Sequence, residues 1–192
     1  MNVQYALSAG LFALFVAMVL VRAAILRKRG IRAIVFGQTD KGDFLLVPVV
    51  LAVAYTALAN TFGLPMVGAL ARPFWGTSLP GWAGLALCVA AAAGIALSLA
   101  SFGDSFRVGI DENKPDKLVT SGMFAMSRNP IYTCFLMFLA GLFLVHRNAA
   151  LAVAAVLLAM AIHRQAIREE KFLAAHYGAE YEEHRKKVRR YL

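Results

Sequence analysis

Long stretches without a charged residue constrain this chain more than any other feature. Residues 1–21, 44–71 and 73–103 contain no Asp, Glu, Lys or Arg. A helix that spans a bilayer needs roughly 20 apolar residues. Hydrophobic residues make up 60% of the chain, which is more than an ordinary soluble domain contains. The sequence therefore predicts an integral membrane protein.

We predict an all-α fold, a single membrane domain over residues 1–192 with five transmembrane helices. The first segment has its basic cluster after the apolar run, so we interpret it as a retained helix and not a signal peptide. The turn at residues 146–148 would join the last two spans into a helical hairpin. The helices are expected at residues 5–26, 43–62, 81–102, 130–145 and 149–175, the last continuing past the membrane, followed by a short helix at 179–188.

The basic residues predict the orientation of these spans. Eighteen of the 20 Lys and Arg residues, and all 11 acidic residues, lie in the segments after the first and third helices or near the C-terminus. Only Arg72 and Arg147 fall on the other side. The positive-inside rule then puts the N-terminus outside and the C-terminus in the cytoplasm. The net charge of +9 is typical of anchoring to anionic lipid, and we expect no nucleic-acid partner.

Cysteine and histidine provide no sign of a metal site. Cys88 and Cys134 both lie within apolar segments, where we expect them to be small packing residues. The four histidines have no ligand spacing, so we predict no metal.

The stretch Leu118–Tyr132 contains the first candidate site. Asn129 is a good N-cap and Pro130 suits the first helical position, so a helix is expected to begin there. Arg128 directly precedes it, and a guanidinium beside free backbone N–H groups suits an anion. A well-capped transmembrane helix with a boundary arginine is the alternative.

The second candidate site is the pair Glu169–Glu170 at the end of the last apolar helix. Two adjacent carboxylates near a membrane are costly and indicate a cationic or hydroxyl-bearing partner. Gln165 lies four residues before Glu169 and shares its helix face. Arg168 and Lys171 are expected to extend toward lipid headgroups.

Together these two segments resemble the isoprenylcysteine carboxyl methyltransferase family, which is related to the phospholipid N-methyltransferases. Residues 118–132, LVTSGMFAMSRNPIY, are similar to the family signature LVTxGxY…RHPxY. The ending EExxL…FGxxY is matched by Glu169, Glu170, Leu173, Tyr177, Gly178 and Tyr181. The resemblance covers residues 101–192, and the basic run 187–190 is similar to the segment that closes many members.

The resemblance implies a methyltransferase that uses S-adenosylmethionine at a cytoplasmic pocket within residues 103–192. The cofactor would contact Asp116, Lys117, Leu118, Val119, Phe124, Asn129, Pro130, Ile131, Tyr132, Glu169 and Glu170. The acceptor, a lipid-like or prenylated molecule, would contact Gln165, Arg164 and Arg128. No residue is assigned a catalytic role, and no protein partner is inferred.

Three residues differ from the family pattern. Asn129 replaces a histidine and cannot become cationic, and Cys134 stands where many members have glycine. Gln165 replaces an arginine that contacts the substrate in the prenylcysteine enzymes, and a neutral amide holds a carboxylate less well. Alternative functions are a phospholipid N-methyltransferase, an NADPH-dependent membrane reductase of similar fold and a non-catalytic binding protein.

We predict that residues 103–128 and the C-terminus are cytoplasmic, because the Lys and Arg residues concentrate there. Single cysteines at Ser105 and Leu192, in a background lacking Cys88 and Cys134, can be labelled with an impermeant reagent. We expect labelling only after the cells are opened. Labelling of intact cells from outside would overturn the topology.

Overall fold

The fold is that of a computed structural model, which describes residues 2–28, 46–102 and 118–192. The predicted helix start at residue 43 and the first part of the predicted polar loop lie outside these residues. The described residues are helical and include no strand, only an isolated bridge between Pro73 and Asn148. The helices are α1 (Val3–Lys28), α2 (Leu46–Phe62), α3 (Gly68–Ala71), α4 (Leu79–Phe102), α5 (Pro130–His146), α6 (Ala149–Tyr177) and α7 (Ala179–Lys187), with a 3-10 helix at Gly122–Ala125.

Three of the described helices, α1, α4 and α6, are long and apolar enough to cross a membrane. Two further apolar helices, α2 and α5, have 17 residues each. The prediction of an all-α membrane fold is therefore confirmed, whereas five spans stay a prediction. The short helix α3 was not predicted, because its four residues sit in a mildly apolar connection without a periodic pattern.

The two closest helices, α4 and α5, approach through glycines and cysteines. A Cβ atom on Gly84 would lie 2.5 Å from the carbonyl oxygen of Gly141, and one on Gly141 would lie 2.6 Å from Cys88 Sγ. Cys88 and Cys134 are buried free thiols, as expected for packing residues. Small residues let membrane helices approach closely, which increases their van der Waals contact.

Aromatic rings pack α1 against α5. Phe15 packs against Phe138 with ring centroids 4.4 Å apart and against Phe135 at 4.8 Å. Elsewhere the outer surface exposes large apolar side chains, among them Leu51, Val67, Val153 and Met160. An apolar surface of this kind suits lipid as the surrounding solvent.

Helix α6 is longer than a membrane-spanning helix needs to be. Its 29 residues rise about 43 Å, whereas a bilayer core is about 30 Å thick. The turn before it has Arg147 in the left-handed region, at φ 44°, and Asn148 Oδ1 accepts from Leu151 N at 2.9 Å. This turn folds α6 back along α5, so the end of α6 meets the start of α5.

We predict that Gly141→Ala destabilises the protein, because its Cβ would overlap Cys88 Sγ and the Gly84 carbonyl oxygen. Overpacking of this kind costs about 1–3 kcal/mol. The measurement is thermal unfolding of the detergent-solubilised protein.

The matched control is Gly10→Ala in α1, where nothing lies within 4 Å of the added Cβ. Alanine there should stabilise the helix by about 0.5–1 kcal/mol. A Gly141→Ala protein that melts at or above the parent's temperature would contradict close packing of α4 on α5.

Candidate functional site

The segment before α5 rests on the end of α4. The backbone N–H of Met123 donates to Ser101 Oγ at 3.2 Å. Phe124, predicted to contact a cofactor, is buried in the 3-10 helix, while Leu118 and Val119 are half-buried. Two apolar side chains of the predicted site, those of Leu118 and Val119, are therefore partly accessible.

Helix α5 begins at Pro130, with Asn129 at the N-cap position, as predicted. The side chain of Asn129, however, makes no capping hydrogen bond. Its Nδ2 donates instead to Glu170 Oε1 at 2.9 Å and to the carbonyl of Arg190 at 3.3 Å. A hydrogen bond to a charged acceptor is stronger than one to a neutral group, which explains why the amide turns away from the helix end.

Two backbone N–H groups just before α5 have partners within the chain. Arg128 N donates to the carbonyl of Arg189 at 2.9 Å, and Asn129 N donates to that of Arg190 at 3.2 Å. Ser127 Oγ also donates to the Arg190 carbonyl, at 3.1 Å. The carbonyls of residues 189 and 190 thus take up these two donors, while an anion at the first turn of α5 stays a prediction.

Glu170 is buried and is held by three side chains. Arg190 donates from Nε to Oε1 at 2.8 Å and from Nη2 to Oε2 at 3.1 Å. Asn129 Nδ2 also donates to Oε1, and Arg128 Nη2 lies 3.4 Å from Oε2. Donating hydrogen bonds to the Glu170 carboxylate raises the pKa of Arg190 above its usual value. The charge of this carboxylate is therefore compensated within the protein.

Glu169 points to a different set of partners. Its Oε1 accepts from the Tyr132 hydroxyl at 2.6 Å and from Gln165 Nε2 at 2.9 Å. Arg168 donates to Gln165 Oε1, and its extension toward headgroups stays a prediction. Among the described residues, both hydrogen bonds to this carboxylate go to Oε1. No described residue donates a hydrogen bond to Oε2 of Glu169.

Arg128 has hydrogen-bonding capacity that the described residues do not use. Its side chain is 9% exposed, yet Nε and Nη1 are buried without a hydrogen-bond partner in the described part of the chain. The hydroxyl of Tyr181, on α7, is likewise buried without a hydrogen-bond partner among the described residues. Burial and then the charge of Glu170 raise the pKa of Tyr181 to about 12, so its hydroxyl stays neutral. Both side chains can still bind a polar group.

The structure joins several predicted site residues and leaves others apart. Asn129 with Glu170, and Tyr132 with Glu169 and Gln165, are in direct contact. Ile131 packs against the apolar core, Pro130 is buried and Arg164 is exposed. Asp116 and Lys117 lie outside the described residues.

Sequence reasoning missed two members of the site, Arg190 and Ser127. Arg190 was noted only as part of a basic run, and its pairing with Glu170 depends on the turn after α6. Nothing in the local pattern marks Ser127, whose hydroxyl contacts both Thr133 and the Arg190 carbonyl. In the described part of the chain, no group of three or more His, Cys, Asp or Glu residues could hold a metal ion.

Comparison with known proteins adds one finding. A family model described as phospholipid methyltransferase matches residues 79–180, just over half of the chain. The match begins at the start of α4 and includes α5, α6 and both glutamates. No curated protein and no solved structure matches the chain.

Proposed function

Because the chain belongs to the phospholipid methyltransferase family, we propose that it transfers a methyl group from S-adenosylmethionine to a lipid-like acceptor. The observation that carries this proposal is Glu169, a carboxylate at the polar end of α6 that Tyr132 of α5 holds by a 2.6 Å hydrogen bond. Both residues lie within the matched region.

The polar groups of the site fit the groups of this cofactor. The Glu169 oxygen that no described residue bonds suits an ammonium group or ribose hydroxyls. The Arg128 N–H groups that have no partner among the described residues suit a carboxylate, which guanidinium binds in bidentate fashion. Leu118 and Val119, both half-buried, offer apolar contact to an adenine. Glu169 and Arg128 support assignment of the cofactor to the start of α5 and the end of α6.

The chemistry asks little of the protein beyond positioning. When bound, S-adenosylmethionine supplies a methyl group on a sulfonium, which an acceptor lone pair takes in an in-line displacement. Tyr132 and Gln165 would orient Glu169, and the apolar side chains would exclude water. A strong general base is not required for a neutral amine or a carboxylate acceptor, so the proposal needs no catalytic histidine or cysteine.

Gln165 bears on the class of acceptor. The resemblance places it where the prenylcysteine enzymes have an arginine for the substrate carboxylate, but here a neutral amide bonds to Glu169. This favours a phospholipid headgroup amine over a carboxylate. Prenylated cysteine remains the alternative acceptor, because Arg168 contacts Gln165 and Arg164 is one residue away.

The proposed site would face the cytoplasm. It lies at the charged end of α6, and the Lys and Arg residues concentrate in the segments on that side. The acceptor would then enter from the inner leaflet.

We predict that Glu169→Gln weakens binding of S-adenosylhomocysteine roughly ten- to hundredfold. The variant keeps the side-chain shape but loses the charge, and hydrogen bonds to charged groups contribute about 1.5–3 kcal/mol. Calorimetric titration of the solubilised protein measures the affinity.

The control is Glu183→Gln, an exposed residue of α7, which should bind like the parent. Folded parent protein that fails to bind S-adenosylhomocysteine at millimolar concentration would remove the methyltransferase proposal. Binding of NADPH by the same preparation would favour the reductase alternative.

We predict that Gln165→Arg raises methylation of a prenylcysteine analogue relative to phosphatidylethanolamine, because a guanidinium pairs bidentately with a carboxylate. Radiolabelled S-adenosylmethionine and separation of the products measure both reactions. The parent should label phosphatidylethanolamine preferentially. If the arginine instead lowers both reactions equally, it has paired with Glu169 and the argument on acceptor choice fails.

A further inference from the structure

Residues 188–192 lie against the start of α5 through both main-chain and side-chain contacts. Two backbone N–H groups, of Arg128 and Asn129, donate to carbonyls of this segment. Within the same segment, the Tyr191 hydroxyl lies 2.8 Å from His163 Nδ1. The segment thus joins α5 to α6 at the end where the proposed cofactor site lies.

The strongest single contact of the segment is the pair of hydrogen bonds from Arg190 to Glu170. This contact is bidentate, and Glu170 is buried. Parallel N–H···O bonds of this type restrict the orientation of both groups more than a point charge can. Arg190 therefore restrains the side chain of Glu170 and, through it, this turn of α6.

The restraint extends to Glu169 through helix geometry. Consecutive residues of an α-helix point about 100° apart around the axis. When Glu170 faces Arg190 and Asn129, Glu169 must face the side on which Tyr132 lies. The observed 2.6 Å contact between Tyr132 and Glu169 agrees with this orientation.

We propose that Arg190 is a positioning residue for the cofactor site, and that Glu170 and Asn129 hold it there and are not themselves cofactor ligands. Every hydrogen bond described for the Glu170 carboxylate goes to the protein's own side chains. Asn129 likewise spends its Nδ2 on Glu170 and on the Arg190 carbonyl. The inference rests on the proposed function, since it names which residues order that site.

The test is calorimetric titration of Arg190→Ala with S-adenosylhomocysteine, beside thermal unfolding of the same protein. We expect the dissociation constant to rise roughly tenfold, the effect of one lost charge-assisted contact, at unchanged stoichiometry. A purely structural role would lower the stoichiometry, because fewer molecules would be folded, and would leave the dissociation constant unchanged.

Arg189→Ala is the matched control, since it removes the same charge one residue earlier from an exposed side chain. It should bind like the parent. Arg190→Lys keeps the charge without the bidentate geometry, and it should weaken binding less than alanine does. If Arg190→Ala does not fold, the lysine variant decides the question.

A double-mutant cycle tests the route through Glu170. In a Glu170→Gln background, Arg190→Ala should change affinity less than it does in the parent, because a neutral amide cannot form the bidentate ion pair. If the parent protein and both Arg190 variants bind S-adenosylhomocysteine with equal affinity, the positioning role alone is overturned. Folded parent protein that does not bind at all would overturn the proposed function and this inference together.

Discussion

The buried carboxylate of Glu170 is the interaction on which the polar end of this protein depends. A charge at a membrane boundary is costly unless it is paired and hydrogen-bonded. Glu170 meets this need with Arg190 and Asn129, and with Arg128 at 3.4 Å. These partners come from the start of α5 and from the segment after α7. One carboxylate therefore joins three parts of the chain that are far apart in sequence.

Two adjacent glutamates consequently have different environments. Glu170 is surrounded by donors that balance its charge, whereas Glu169 has a tyrosine and an amide and retains an oxygen that no described residue bonds. A carboxylate whose bonds are complete stabilises a fold, while one with an unused oxygen can accept a ligand. This difference is why Glu169, and not Glu170, is the proposed cofactor contact.

The sequence predicted what depends on neighbours along the chain. The uncharged runs indicated the apolar helices, Asn129–Pro130 marked the start of α5, and the spacing of Gln165 and Glu169 placed them on one face, where they bond at 2.9 Å. It could not predict the partner of Glu170, because Arg190 reaches it only after a turn at Gly178 and a further helix. The capping role of Asn129 was wrong for the same reason, since a distant carboxylate competes for its amide.

The other end of α5 shows how a polar group behaves when it serves only the fold. With the Asn60 amide donating at 3.0 Å, His146 Nδ1 is the acceptor, and Nε2 carries the proton and donates to Ser8 Oγ at 3.1 Å. The Ser8 hydroxyl donates in turn to the carbonyl of Tyr5. Each ring nitrogen of the histidine therefore has one partner, and the chain ties α1, α2 and α5 together. Arg128, at the opposite end of α5, has two buried N–H groups that the described residues leave unbonded. Buried donors without partners are costly, so the two Arg128 groups, in contact with Glu170 at the start of α5, are where we propose that a ligand binds.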